Sequence, residues 1–369
     1  MSLGRFEDLT SHPEFDIPLS ICYRCNMKNG LPFTADLATT AMGILPHEDV
    51  DEALELAFSL DIPFWPQLPR LSFFEDMYVQ ALQRFPGAVL DERSGRTYID
   101  TQQFYKDLET FFAHEDDLCW FALSESDSLV YRRFLERDLG PYKAVHGQVI
   151  SPVSLALKIV DENGIPIVYN DDIRAVAFLF IRNRVNQQYR ELAARNGHAF
   201  VWIDDPGLEF IFNAMSGYDH IKARDELHEF YEGVEGPRGL HLCGNPDWDF
   251  LLSLNIDIIS LNAYGFGDIF VKYNRVKDFI KSGGTISWGI IPTYEEELAR
   301  EDAGTTAERL ETMWKPLTGT GMAAAEIAAR SLLAPATCNL LNPDRTLTVE
   351  RAFRHLVELS GRLKERYIS

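Results

Sequence analysis

Positive charge, paired cysteines and long apolar runs are all scarce in this sequence. Its 369 residues carry 35 Lys and Arg against 56 Asp and Glu, a formal net charge of −21. A field of that sign repels nucleic acid and anionic membrane surfaces, so neither is expected as a partner. No apolar run approaches the roughly 20 residues that a membrane helix needs. The opening residues, MSLGRFED, lack the basic and apolar regions of a signal peptide. The five cysteines are an odd number, and Cys119, Cys243 and Cys338 lie far apart, which is not a disulfide framework. A reducing, cytoplasmic setting is the expectation. Cys22 and Cys25 form a single C-x-x-C pair with no second pair and no thioredoxin-like surroundings. They read as incidental cysteines of an N-terminal arm.

The chain also lacks internal repeats, low-complexity stretches and a Pro/Gly/Ser-rich linker. What it has is alternation. After an irregular N-terminal extension over residues 1–36, short apolar runs alternate with helical patterns, which argues for βα units and a parallel sheet. Strands are expected at 38–45, 62–65, 142–150, 198–204, 239–242, 257–261, 285–291 and 333–338. Helices are expected from 49, over 73–85, 100–113 and 171–196, mostly over 208–232, and over 269–282, 307–317, 322–332 and 348–366. About eight strands over roughly 330 residues fit a single (β/α)8 TIM barrel spanning 37–369. A doubly wound open sheet is the alternative, but no G-x-G-x-x-G follows the first strand and no P-loop is present.

The most telling segment is Gly239 to Trp248, GLHLCGNPDW. His241 and Cys243 are two apart at the end of a short strand, so they share a face. An imidazole and a thiolate on one face are good zinc ligands. A Gly-Asn-Pro turn follows, placing the pair where strand becomes loop. In a barrel the strand ends converge on one mouth. The third soft donor there is Cys338, and three protein ligands with one open position describe a catalytic zinc site rather than a structural one. Equally, His241 and Cys243 read as a buried histidine and a small apolar cysteine.

Other strand ends supply His47, Gln148, Asp204, Asp205 and Asn262, and the Phe64–Arg70 segment offers Gln67 and Arg70 to line the mouth. Asp204 and Asp205 are candidates to bind a substrate ammonium or to act as acid and base. Adjacent strand residues point to opposite faces, so one of the two enters the pocket. Asp205 reads equally well as a helix cap before Pro206.

These residues resemble the cobalamin-independent methionine synthase and uroporphyrinogen decarboxylase superfamily, and most closely its single-barrel, methionine-synthase-like members. The likeness runs through residues 36–366 in order. Gly43-Ile-Leu-Pro-His47 resembles the opening turn, and Gly147–Pro152 a later glycine-proline segment. Ile203–Leu208 resembles the acidic segment that holds a substrate amino group. His241-Leu-Cys243 and Pro335–Cys338 resemble the zinc-ligating motifs. The resemblance implies a zinc-dependent thiol methyltransferase, homocysteine methyltransferase-like and so tied to methionine biosynthesis. Zn²⁺ would be held by His241, Cys243 and Cys338. Asp204, Gln67, Arg70, Gln148 and Asn262 would bind substrate, with His47 and Asp205 as catalytic groups. For a single barrel it implies a corrinoid on a partner protein as methyl donor, with folate as the other donor.

Three positions depart from the family pattern. Ile44 stands for its serine, Asn339 for the glycine after the last cysteine, and neutral Asn262 near its zinc-ligating glutamate; Asp268 is the replacement if its loop folds back. Two other readings stay open: a metal-free, decarboxylase-like lyase, and a non-catalytic barrel within a corrinoid-linked complex.

Overall fold

The computed structural model describes residues 30–212, 217–218 and 220–368. Its centre is a curled sheet of seven parallel strands. These are β1 (Ala38–Thr39), β2 (Val145–Ile150), β3 (Ala199–Asp204), β4 (Arg238–Leu242), β5 (Ile258–Leu261), β6 (Thr285–Ile291) and β7 (Ser331–Pro335). Their spatial order is β1-β7-β6-β5-β4-β3-β2. Every strand is buried along its whole length, apart from Arg238 at the start of β4, as expected of parallel strands covered on both faces.

The expected eight-stranded TIM barrel is therefore corrected to a seven-stranded curled sheet in a mixed α/β fold. The missing member is the run at 62–65. It lies between β1 and β2 but makes only single parallel bridges, Thr40 to Ile62 and Phe64 to His146. Pro63 and Pro66 explain this, because each removes a backbone N–H that a continuous ladder would use. The strand expected over 38–45 also shrinks to two residues. Asp36, Leu37 and Gly43 have φ of 47°, 58° and 98°, which bends the chain out of extended geometry on both sides.

The long connection between residue 65 and β2 holds elements not expected from the sequence. An antiparallel hairpin pairs Ala88–Asp91 with Arg96–Ile99, and a helix covers Leu129–Glu136. The helix expected over 73–85 is a short 3-10 turn followed by Met77–Leu82. Around the sheet, α1 (Val50–Phe58) starts on an Asp49 cap and α2 (Asp171–Ala193) on an Asn170 cap. In both, the cap side chain accepts otherwise orphaned N–H groups. Further on come α3 (Ala263–Phe270) and the closing α4 (Leu347–Tyr367). No helix among the described residues is long and apolar enough to cross a membrane.

Register decides what meets inside the curl. Gln148 pairs with Trp202, and Trp202 with Gly239. Gly239 has no side chain because a Cβ would lie 2.8 Å from the Trp202 ring. Two residues further on, Asp204 pairs with His241 and His241 with Ser260. An apolar layer that includes Phe200, Trp202, Ile258 and Leu332 thus sits below a polar layer at the C-terminal strand ends.

Candidate metal centre

His241, Cys243 and Cys338 come together at those strand ends. Their ligand atoms all lie within 4.8 Å of one another, the only such group among the described residues. His241 Nε2 is 3.1 Å from Cys243 Sγ, and Cys243 Sγ is 3.4 Å from Cys338 Sγ. His241 is the penultimate residue of β4, and Cys243 follows the strand's last residue on the same face. Cys338 arrives from the loop after β7, and its amide N–H donates to Cys243 Sγ at 3.4 Å.

That loop is held by the turn after β1. Ile44 N–H donates to the Cys338 carbonyl at 2.8 Å, and Leu340 N–H to the Ile44 carbonyl at 3.0 Å. Ile44 thus contributes its backbone to holding the Cys338 loop. His241 is oriented from behind, with Nδ1 2.9 Å from Ser260 Oγ. A ligating histidine needs such a partner to fix its ring and leave the other nitrogen for the metal.

The electrostatics divide the thiols. The hydrogen bond from Cys338 and the charge of His241 hold Cys243 well below the usual thiol range against its burial. Cys338, donating to Cys243 and buried beside Asp204, is pushed well above it. Burial pulls His241 down, but the neighbouring Cys243 charge and hydrogen bond outweigh it and leave the imidazole above its ordinary value. Two thiols and a buffered imidazole on rigid strand ends suit Zn²⁺, which takes N and S donors.

The acidic pair splits as its alternation requires. Asp204 stands beside the centre, with Oδ2 3.7 Å from Cys338 Sγ and a buried Oδ1 that has no partner. Burial pushes it up to about 7. Asp205 turns toward the following helical turn instead. Its Oδ1 accepts from Ser154 Oγ at 2.6 Å, and Ser154 Oγ in turn accepts from Gly207 N–H at 2.7 Å. Burial also raises Asp205 to about 7.

The other expected site residues have separate places. Gln148 is spent on architecture: Oε1 accepts from Gly43 N–H at 2.7 Å, and Nε2 donates to the Trp65 carbonyl at 3.2 Å. Gln67 is fully buried next to the Gly43 turn, and neither end of its amide has a partner. Asn262 caps α3, its Oδ1 accepting from Gly265 N–H at 2.8 Å. Asp268 is exposed on that helix, and Arg70 is exposed as well. His47 is not among the three grouped donors; it lines a cavity between α1 and α4 with Glu52 and Glu350. Cys119 is exposed and stands apart, while Cys22 and Cys25 lie outside the described residues.

Two residues that bear on the centre, one by contact and one by charge, went unrecognised in the sequence. Ser260 was legible, since it lies two residues before Asn262 and shares its face. Tyr78 was not. Burial raises its hydroxyl, and the charges of Asp204, Asp205, Asp76 and Cys338 raise it further. No local pattern around residue 78 marks that role.

The chain is similar in fold to a methyltransferase. That solved structure, from Methanosarcina mazei, aligns over 91% of this chain and 94% of its own, with a TM-score of 0.53 and 14% identity. At that identity the likeness shows a shared architecture. No family model matches the chain, and no curated protein matches it.

Proposed function

We propose that this protein is a zinc-dependent thiol S-methyltransferase. The observation that carries the reading is the meeting of His241, Cys243 and Cys338 at the sheet's C-terminal edge. Three protein donors with room for a fourth ligand are the pattern of a zinc site that does chemistry. The shared architecture with a methyltransferase supports the same reading.

Zinc bound there would lower the pKa of a substrate thiol, supplying the thiolate that attacks a methyl group. The chain's own residues do the rest. Ser260 holds the His241 ring, and the turn at Gly43–Ile44 holds the Cys338 loop. Cys243 is the thiol most ready to lose its proton to a metal. Methyl transfer is a displacement, so positioning and thiolate formation carry most of the rate. The substrate is a small thiol, and the methyl donor is a corrinoid presented by a partner protein.

Metal content of the purified protein, measured by mass spectrometry beside Cys243→Ala, tests the proposal. One zinc per chain, lost in the variant, is expected, together with methylation of small thiols by methylcobalamin. A wild-type protein that takes up no zinc under reducing conditions would sink the mechanism.

A further inference from the structure

In this strongly acidic chain, one positive charge is buried with no anion to answer it. Arg184 lies on the buried face of α2 and is 3% exposed. Its Nη2 donates to the Gln83 carbonyl at 2.6 Å. Nε and Nη1 are buried and have no partner among the described residues. We propose that Arg184 anchors a buried binding site for a single halide ion, chloride in ordinary media. The site is separate from the three grouped donors and does not depend on the zinc reading.

Geometry supports it first. Arg184 lines a void of about 10 Å³ together with Trp65, Gln80, Gln148, Val149 and Gln188. A void of that size has room for one water-sized body. Among common anions a halide comes nearest to that size, whereas sulfate, phosphate and carboxylates are too large. Trp65 ends the interrupted run at 62–65, and its Nε1 is another buried donor without a partner. Gln188 stands one helical turn after Arg184 on the same face. Its Oε1 is unpartnered as well, and the amide turned end for end offers its NH2 to an anion. A Cβ on Gly147 would lie 1.9 Å from that Oε1, so the bare backbone of β2 makes room for the amide.

Charge supports it next. A buried cation without a counter-charge is costly, and arginine does not escape the cost by giving up its proton. Burial and the charge of Arg84 pull the guanidinium down to about 9, still protonated at neutral pH, against the opposing charges of Asp127 and Glu191. Neither acid is free to answer it. Asp127 pairs with Arg84 at 3.2 Å and Glu191 with Arg132 at 2.8 Å. Glu75, reached through Gln80 at 3.0 Å, also accepts from Ser128 and from Val130 N–H. The Phe180 ring, 5.2 Å from the guanidinium carbon, supplies only a cation–π contact.

Thermal unfolding of the full chain in sodium chloride, sodium bromide and sodium gluconate, at one fixed ionic strength, tests the site. Gluconate is too large to enter and sets the baseline. The midpoint of the wild type should rise with either halide, by about 2 °C for each tenfold increase once the site fills. Arg184→Met keeps much of the side chain's volume and should lose that dependence. Trp65→Phe takes away one donor and should weaken it, and circular dichroism checks that both variants fold. Broadening of the bromide magnetic resonance line by the wild type, absent with Arg184→Met, reports the binding directly. Equal midpoints in halide and gluconate would overturn the proposal. A halide dependence undiminished in a folded variant would overturn it too, by placing the ion elsewhere.

Discussion

A methyl group on Gly43 would lie 2.0 Å from the Cys338 carbonyl oxygen and 2.8 Å from Cys338 Cβ. Gly43 also has a φ of 98°, a conformation that disfavours any side chain. The turn after the first strand is thus built to admit Cys338, the last of the three grouped donors. Gly43→Ala should lower stability by about 1–3 kcal/mol through strain and clash, and should weaken zinc binding by moving Cys338. Urea unfolding and chelator competition together check this. Lost stability with unchanged zinc affinity would mean that the turn supports the fold but not the site.

The hydrogen bond between Ser260 and His241 makes a second prediction. Ser260→Ala leaves the fold intact but frees the imidazole, and zinc affinity should drop 10- to 100-fold, the usual cost of losing such a partner. Calorimetric titration with zinc measures it. Wild-type affinity in the variant would show that packing alone orients the ring.

Asn262 separates a cap from a ligand. Asn262→Ala should cost about 1 kcal/mol of stability by leaving Gly265 N–H without its acceptor. Asn262→Asp should restore that stability, because aspartate caps equally well. Zinc content should be the same in all three proteins. A gain in zinc affinity on placing aspartate there would show that the side chain leaves its cap to reach the metal.

His146 sets a pH dependence away from the three grouped donors. It is fully buried, with Nε2 2.9 Å from Thr40 Oγ1 and Nδ1 3.2 Å from the Gly147 carbonyl oxygen. Burial pulls it down to about 4 from an ordinary 6.5. Between those values the unfolded chain binds more protons than the folded one, so stability rises with pH. The contribution is full above about 6.5 and is lost as pH falls toward 4. Its size is on the order of 3 kcal/mol. Denaturation midpoints of wild type and His146→Gln, followed over that range, should show a shallower slope in the variant. Parallel curves would place the acid sensitivity elsewhere.

Local pattern carried much of this protein into view. The alternation of apolar runs and helical periods announced a parallel sheet. The spacing of His241 and Cys243 put two donors on one strand face, because that is a property of two neighbouring residues and a two-residue period. Cys338 was recognised at the end of the last strand, and the expected split of Asp204 from Asp205 follows from the same period.

What sequence position could not convey was distance across the sheet. Cys338 reaches Cys243 only because of the strand order, the register and a side-chain-free Gly43 beside its loop. His47, one strand end among many in the sequence, lines a cavity between two outer helices, and Gln148 spends its amide on backbone groups. Two prolines reduce the eighth apolar run to single bridges, since a strand needs donors as well as apolar residues. The sequence alone determined which donors stand at strand ends. The tertiary structure decided which of them meet, because hydrogen-bond register sets the height of each residue in the sheet and loop closure sets what crosses above it.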